Sequence, residues 1–352
     1  MSWQDKLRNV EPYQAGEQPQ IKNLIKLNTN ENPYDPGTKV KQAILDFDSS
    51  LLPLYPRPDA DELKHSLALY HGLADDQVFI GNGSDEVLAL TFLTCFNGEK
   101  PVLFPDISYS FYPVYCELYG INYHKVPLNE QLEIVKEDYY QENSGIIFPN
   151  PNAPTGLLVT SELIEDILKH NSESIVVIDE AYIDFGGESV VPLLKKYPNL
   201  LITQTFSKFR SLAGIRLGVA LGNTEIISKL YDVKNSFNSY PIDSLAQVIG
   251  LASIEDSDYI HDNAKKIIET REYTKKELKA LGFVMPDSYA NFIFVKHPQY
   301  DAKDLFIKLR ERGILVRYFD KPRIDQYLRV TIGTQKQMET FVQVIKEILS
   351  LL

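Results

Sequence analysis

The chain has 352 residues, of which 44% are hydrophobic and 24% are charged, so it can build a large core and is not a disordered protein. Its formal net charge of −12 argues against nucleic acid and anionic membranes as partners. We find no apolar signal core and no run that could span a bilayer, and we therefore expect a cytoplasmic protein. Cys95 and Cys116 lie in apolar stretches without metal-type spacing, so we expect buried free thiols and no metal site.

Short apolar runs alternate with amphipathic helical segments between about residues 75 and 225. The predicted strands are, in chain order, QVFI, PVLFPD, GIIFPNP, SIVVIDEAY, NLLITQTFSK and RLGVALG, and the helices include DEVLALTFLTCFN and TSELIEDILKHN. Strands rich in Val and Ile, without polar alternation, are typical of a mostly parallel sheet covered by helices on both faces. The pattern predicts an α/β fold whose ligands bind at the carboxyl ends of the strands.

The C-terminal part has a different pattern. A polar helix over about 257–281 is followed by the strand NFIFVKH, the helix DAKDLFIKLRERG, the strand YLRVTIGT and a terminal helix that reaches Leu352. This order predicts a smaller α+β domain. We assign residues 1–30 to an N-terminal arm that joins the small domain, residues 31–250 to the large domain and residues 251–352 to the small domain.

Residues suited to chemistry follow three of the predicted strands. GNGSDE opens a helix, where backbone N–H groups can bind an anion, although Ser84 and Asp85 are also good helix caps. Asp179 ends a strand and Tyr182 follows it, and this carboxylate needs a cationic partner unless it lies at a surface turn. Lys208 follows the next strand. A lysine in a closed pocket is a candidate nucleophile, whereas most lysines are solvated.

Nine motifs along the chain carry a family resemblance. They are RNVEPYQ, LNTNENP, LYPRPDA, GNGSDE, FPDISYSFY, NPNAPTG, VVIDEAYIDF, TFSKFRSLAGIRLG and LRVTIGT, and together they span nearly the whole sequence. In this order they resemble the fold type I pyridoxal-phosphate aminotransferases, and among these the histidinol-phosphate aminotransferases. The resemblance implies a large cofactor-binding domain, a smaller α+β domain, pyridoxal 5'-phosphate as the cofactor and a homodimer.

The resemblance also implies roles for individual residues. Lys208 would hold the cofactor as a Schiff base and move the proton, Asp179 would pair with the pyridine nitrogen, and Tyr182 would bond the ring oxygen. The other expected cofactor contacts are Tyr109 on the ring face, Ser84, Asp85, Thr205, Ser207 and Arg216 around the phosphate, and Tyr55 from the partner subunit.

One position departs from the family pattern. The family commonly has Asn immediately before Pro-Thr-Gly, where it bonds the ring oxygen, and this chain has Ala153 there with Asn152 before it. Two interpretations follow. Either Asn152 substitutes for the missing side chain, or Tyr182 carries that bond alone.

The substrate contacts implied by the resemblance are Arg329, Arg317 and Tyr13, where a second arginine would favour a phosphate over a carboxylate. The implied reaction is histidinol phosphate plus 2-oxoglutarate giving imidazole-acetol phosphate plus glutamate. Three alternatives remain open: an aromatic amino-acid aminotransferase, a threonine-phosphate decarboxylase, and the sensor domain of a transcription regulator. The last would need a DNA-binding module for which the chain has neither room nor charge.

Overall fold

The computed structural model describes residues 2–14, 16–19 and 23–350. The strands are β1 Ile25–Lys26, β2 Val78–Asn82, β3 Val102–Pro105, β4 Tyr123–Val126, β5 Gly145–Pro149, β6 Val176–Asp179, β7 Leu200–Thr205, β8 Leu217–Gly222, β9 Phe292–Val295, β10 Ile314–Leu315, β11 Arg317–Tyr318 and β12 Leu328–Thr331. The α-helices are α1 Thr38–Leu45, α2 Asp61–His71, α3 Gly83–Cys95, α4 Phe111–Tyr119, α5 Ser161–His170, α6 Thr224–Phe237, α7 Ser244–Glu255, α8 Ser257–Ala280, α9 Ala302–Glu311 and α10 Gln335–Ser350.

A seven-stranded sheet forms the centre of the larger unit, in the order β2-β8-β7-β6-β5-β3-β4. The neighbours from β4 to β7 are parallel, whereas β8 runs antiparallel to both β7 and β2. The link from β7 to β8 (residues 206–216) contains no α-helix, and a parallel crossover normally needs one. The predicted strand RLGVALG therefore forms, but it returns beside β7 in the opposite direction.

Alternate residues of the central strands face opposite sides of this sheet. On β6, Val176 and Ile178 join one apolar cluster, while Val177 joins a second cluster on the other side. Helices α2, α5 and α7 supply the first cluster, and α3, α4 and α6 supply the second. Both faces of the sheet are therefore covered by helices, which explains why the sequences of these strands are continuously apolar. The predicted α/β fold with a mostly parallel sheet is confirmed.

The smaller unit combines two short sheets with three helices. Strands β11, β12 and β9 form an antiparallel sheet in that order, and β1 pairs in parallel with β10. Helices α8, α9 and α10 pack their apolar faces in one cluster with Leu27 of the N-terminal segment. Because α7 belongs to the larger core and α8 contributes to the smaller one, we propose that the chain passes between the units near Asp256.

Several further features bear on the sequence predictions. Leu352, the predicted end of the last helix, lies outside the described residues. Cys116 is buried, Cys95 is partly buried, and both are free thiols whose pKa is raised to about 12 by burial. In the described part of the chain, none of the helices combines the length and the hydropathy that crossing a membrane requires.

Candidate active site

A cavity of about 270 Å³ lies at the carboxyl ends of β5, β6 and β7, and β11 and β12 of the smaller unit form its other side. The predicted site residues that line it are Tyr13, Ser84, Asp85, Tyr109, Asp179, Tyr182, Thr205, Ser207, Lys208, Arg216, Arg317 and Arg329. Parallel strands end at the same edge of a sheet, so residues far apart in sequence meet there. The structure thus brings together most of the residues selected from the sequence.

Asp179 is the last residue of β6, and its side chain is almost completely buried. Its Oδ2 accepts a hydrogen bond of 3.0 Å from the Tyr112 hydroxyl, while Oδ1 has no partner among the described residues. Burial raises the pKa of Asp179 to about 6, and the hydrogen bond from Tyr112 opposes that rise in pKa. A buried carboxylate with one free oxygen is suited to a cationic N–H donor of a ligand.

Lys208 extends from the loop after β7, where the Asn32 side chain fixes its position by donating to the Lys208 carbonyl at 2.9 Å. The Lys208 Nζ donates to the backbone carbonyl of Thr29 at 3.0 Å. Burial, together with the positive charge of Arg329, lowers the pKa of the amine to about 8. A substantial fraction of the amine is therefore neutral, and nucleophilic, near neutral pH.

The start of α3 forms a notch lined by backbone and by Arg216. Gly83 opens the helix with φ of +78°, and a Cβ there would lie 2.5 Å from Nη2 of Arg216. A Cβ at Gly218 of β8 would lie 2.5 Å from the Ser84 nitrogen, so only glycine allows this approach. An N-terminal helix turn beside a guanidinium is an arrangement that favours phosphate.

The Asp85 carboxylate accepts hydrogen bonds from two other residues that were predicted to contact the cofactor. Arg216 donates to its Oδ2 and the Tyr109 hydroxyl donates to its Oδ1, each at 3.0 Å. Arg216 itself adopts a left-handed backbone conformation, with φ of +58°, which is uncommon for a side chain of this size. These contacts orient the guanidinium over the notch and the Tyr109 ring toward the cavity.

Tyr182 lies between the two units, with its ring edge-on to Phe292 at a centroid distance of 5.1 Å. Its hydroxyl oxygen accepts a hydrogen bond of 3.0 Å from Nδ2 of Asn30. Burial raises the pKa of Tyr182, while the positive charge of Arg329 opposes the rise in pKa. The phenol is therefore neutral at ordinary pH and can donate a hydrogen bond.

Arg317 and Arg329 are paired directly across β11 and β12, so both project from the same face of the small sheet. Arg329 donates to the Asn28 carbonyl at 3.1 Å, and its buried Nε has no partner among the described residues. Burial and the charge of Arg317 lower the pKa of Arg329. Neither guanidinium forms an ion pair with a carboxylate in the described part of the chain, so this positive face is suited to an anionic ligand.

Two predicted residues lie elsewhere. The Asn152 amide is buried and donates to the Ile107 carbonyl and to Thr155 Oγ1, both at 3.0 Å, so it supports the loop and does not line the cavity. Tyr55 is 83% exposed and stacks on Tyr240 at 4.8 Å, outside the cavity of its own chain. Tyr13 lines the cavity and stacks on Phe111 at 4.4 Å.

Sequence reasoning assigned no role to Asn30 or Tyr112, each of which contacts a predicted catalytic residue. Asn30 lies in LNTNENP, one of the nine motifs that carry the resemblance, which marks the segment but not the partner of Asn30. Tyr112 lies three residues after Tyr109 among several aromatic residues, and nothing in its local sequence distinguishes it from a core residue.

Comparison with known proteins agrees with this geometry. The family model for aminotransferase class I and II matches residues 22–345. Histidinol-phosphate aminotransferase of Lactococcus lactis subsp. cremoris strain SK11 is 59% identical over 99% of this chain and 98% of its own, and histidinol-phosphate aminotransferase 1 of Pseudomonas fluorescens strain Pf-5 is 52% identical over 98% and 99%.

Solved structures show the same fold. The histidinol-phosphate aminotransferase from Clostridium acetobutylicum is 27% identical, with a TM-score of 0.86 over 94% of this chain and 100% of that one. The enzyme from Sinorhizobium meliloti in complex with pyridoxal-5'-phosphate has a TM-score of 0.81 at 20% identity over 92% and 91%. The chain therefore belongs to the class I and II aminotransferase family, and within it to the histidinol-phosphate aminotransferases.

Proposed function

We propose that this protein transfers the amino group of histidinol phosphate to 2-oxoglutarate, giving imidazole-acetol phosphate and glutamate in histidine biosynthesis. The observation that carries the proposal is the pair of guanidiniums of Arg317 and Arg329 facing the same cavity as Lys208. An amine with a lowered pKa opposite two unpaired cations suits a substrate that has an amino group and a phosphate. The closely similar histidinol-phosphate aminotransferases of Lactococcus lactis and Pseudomonas fluorescens support the same substrate.

The cavity fits pyridoxal 5'-phosphate as the cofactor. The notch formed by α3 and Arg216 would hold its phosphate, Oδ1 of Asp179 would accept from its ring nitrogen, and Tyr109 would cover its ring. Ser84, Thr205 and Ser207 line the same part of the cavity. When bound, the cofactor supplies a carbonyl carbon that reacts with amines and an aromatic ring that withdraws electrons.

The chain's own residues would handle the proton. Lys208 Nζ, with its pKa lowered to about 8, would take the proton from the substrate carbon that bears nitrogen and pass it to the carbonyl carbon of the cofactor, and the second half of the cycle would reverse this transfer. An ionised Asp179 keeps the ring nitrogen protonated, and the Tyr182 hydroxyl donates to the ring oxygen. Since Asn152 is engaged with Ile107 and Thr155, we assign the ring-oxygen bond to Tyr182 alone.

Substrate binding would use the small sheet. Histidinol phosphate has no α-carboxylate, so its phosphate would occupy the place beside Arg329 that holds a carboxylate of glutamate. The larger charge of the phosphate would be met by Arg317, with Tyr13 beside it on the cavity wall. One pocket would thus accept both amino-group donors at different times in the cycle.

A homodimer would complete the site. Exposed apolar side chains surround Tyr55, including Leu51, Leu52, Leu54 and Tyr240. Exposed apolar residues grouped in this way mark a surface that another molecule covers. We assign this surface to a second copy of the chain, and Tyr55 to the phosphate of the neighbouring site.

The protonation of Lys208 is open to direct measurement. In the cofactor-free protein, labelling of Lys208 by an amine-reactive reagent should reach half of its maximal rate near pH 8, because only the neutral amine reacts and burial lowers its pKa. Arg329→Gln should move that midpoint to higher pH, since one nearby positive charge is removed. Mass-spectrometric peptide mapping gives both profiles. A midpoint near 10.5, the ordinary lysine value, would contradict the assignment.

Asp179→Asn should retain the cofactor but slow proton removal from the substrate carbon by two to four orders of magnitude, roughly the range of acid–base assistance. Hydrogen–deuterium exchange at that carbon, followed in single turnover, measures the step. Glu180→Gln is the matched control, because Glu180 is equally buried, is bonded to Ser189 and Val190, and does not line the cavity. Equal exchange rates in the two variants would leave Asp179 a purely structural role.

Mixed dimers test the position of Tyr55. A protomer carrying Tyr55→Phe and a protomer carrying Lys208→Ala should together form one intact site and one doubly altered site, so the hybrid should recover about half of the activity of the wild-type dimer. Separately tagged protomers allow the hybrid to be purified. Failure of the hybrid to exceed either parent dimer would place Tyr55 outside the neighbouring site.

Substrate choice depends on the two arginines. Arg317→Gln should weaken histidinol phosphate roughly ten- to a hundredfold, the effect of one lost charge-assisted contact, and should affect glutamate much less. Arg329→Gln should impair both half-reactions. The comparison requires kcat/KM for each amino donor with each variant. If Arg317→Gln affects glutamate equally, Arg317 is not a phosphate contact, and a wild-type preference for phenylalanine would favour an aromatic aminotransferase.

A further inference from the structure

A buried chain of hydrogen bonds joins β12 to Tyr182 through Asn30. Thr331 Oγ1 accepts the backbone N–H of Asn30 at 2.9 Å and donates to Asn30 Oδ1 at 3.1 Å. The Nδ2 of Asn30 donates to the Tyr182 hydroxyl oxygen at 3.0 Å, and the Asn30 carbonyl accepts from Asn291 at 3.0 Å. Asn30 is only 1% exposed, so these protein groups are its partners in place of water.

The orientation of the Asn30 amide follows from this network. If the amide were reversed, its NH₂ group would face Thr331 Oγ1, which already accepts the backbone N–H, and the hydroxyl hydrogen of Thr331 would lose its acceptor. A buried hydroxyl without an acceptor costs about 1–3 kcal/mol. The observed orientation satisfies every polar atom of the Asn30 side chain and directs its NH₂ group at Tyr182.

The direction of the Tyr182 hydroxyl hydrogen is fixed as a consequence. The oxygen accepts from Asn30, so its own hydrogen must point away from Asn30. Tyr182 and Ala153 both line the cavity, and the cluster against which Tyr182 packs, Ala153, Ala290 and Phe292, has no polar side-chain atom to accept that hydrogen. The hydroxyl therefore presents its hydrogen to whatever occupies the cavity.

We propose that Asn30 is a positioning residue that makes Tyr182 a hydrogen-bond donor into the active site, and that Thr331 sets the orientation of Asn30. The proposal rests on the proposed function, in which the donated hydrogen bond reaches the ring oxygen of the cofactor. Position 153 is alanine, and the Asn152 NH₂ group is bonded to the loop. Neither residue can therefore replace the Tyr182 hydroxyl as the donor to the ring oxygen.

The consequence is visible in the absorption spectrum of the bound cofactor. The chromophore is the bound cofactor. A hydrogen-bond donor to the ring oxygen favours the anionic form of that oxygen, so losing the donor raises the pKa of the chromophore. Tyr182→Phe should raise this pKa by about one unit, since a hydrogen bond to a charged group contributes on that scale. Spectrophotometric pH titration measures it without any turnover.

The decisive comparison is a double-mutant cycle. Asn30→Asp is nearly isosteric, but its carboxylate would accept the hydrogen of Tyr182 and turn it away from the cavity. The added charge also raises the chromophore pKa directly, so Asn30→Asp is made in the Tyr182→Phe background as well. We expect a clearly larger upward shift in the wild-type background. Equal shifts in the two backgrounds would overturn the proposal, because they would mean that Asn30 does not act through the hydroxyl.

Thr331→Val tests the same proposal without adding a charge. Removing the Thr331 hydroxyl allows the Asn30 amide to rotate. The substitution should raise the chromophore pKa in the wild-type background and leave it unchanged in Tyr182→Phe, whereas Thr331→Ser keeps the hydroxyl and should keep the wild-type value. A shift that persists in Tyr182→Phe would indicate a purely structural role and overturn the proposal. Failure of the proposed function would differ from this, since a wild-type preference for phenylalanine over histidinol phosphate would leave the titration of the bound cofactor unchanged.

Discussion

The buried carboxylate of Asp179 is the constraint on which the rest of the site depends. Removing a carboxylate from water is unfavourable, and here it raises the pKa of the group to about 6. Tyr112 satisfies one oxygen, whereas the other is buried and has no hydrogen-bond partner in the part of the chain that the structure describes. A cationic N–H donor of a ligand would stabilise the ionised form further, so the end of β6 is suited to such a group.

Asp179 and the two arginines of the small sheet are kept apart across the cavity. Asp179 lies on the large sheet, whereas Arg317 and Arg329 lie side by side on the small one, and neither guanidinium pairs with a carboxylate among the described residues. Direct pairing would neutralise both sides and leave no site. Two facing arginines repel each other, and this repulsion is relieved when an anion binds between them. The acidic chain thus keeps a local positive field where a phosphate is expected.

The sequence predicted those parts of the fold that have a clear local hydrophobic pattern. Strands β5, β6 and β7 were identifiable because burial on both faces makes them continuously apolar. Strand β4, with the sequence YHKV, was missed because it lies at the sheet edge and exposes polar side chains. Helices α1 and α2 were also missed, since their weakly apolar sequences give little periodic signal.

The sequence predicted the site residues that lie in recognisable motifs. Lys208 and Asp179 were found because several motifs in order resemble a known family, whereas either residue alone was ambiguous. Asn30 was not found, because its role depends on Tyr182 and Thr331, which lie 152 and 301 residues away in sequence. No local pattern encodes a partner at that separation. The same limit applies to Asn152, whose amide could be assigned to the loop only when its neighbours in space were known.

The N-terminal segment LNTNENP connects both units to Lys208. Leu27 bonds to β10 and β12, the Asn28 carbonyl accepts from Arg329, and Asn32 holds the Lys208 backbone. The Thr29 carbonyl accepts from the Lys208 amine itself. A carbonyl is a neutral acceptor, and this choice matters, because a carboxylate at the same place would favour the ammonium form and raise the pKa of the lysine. The segment can therefore position Lys208 firmly while its pKa remains near 8, which suits the proposed roles of nucleophile and proton carrier.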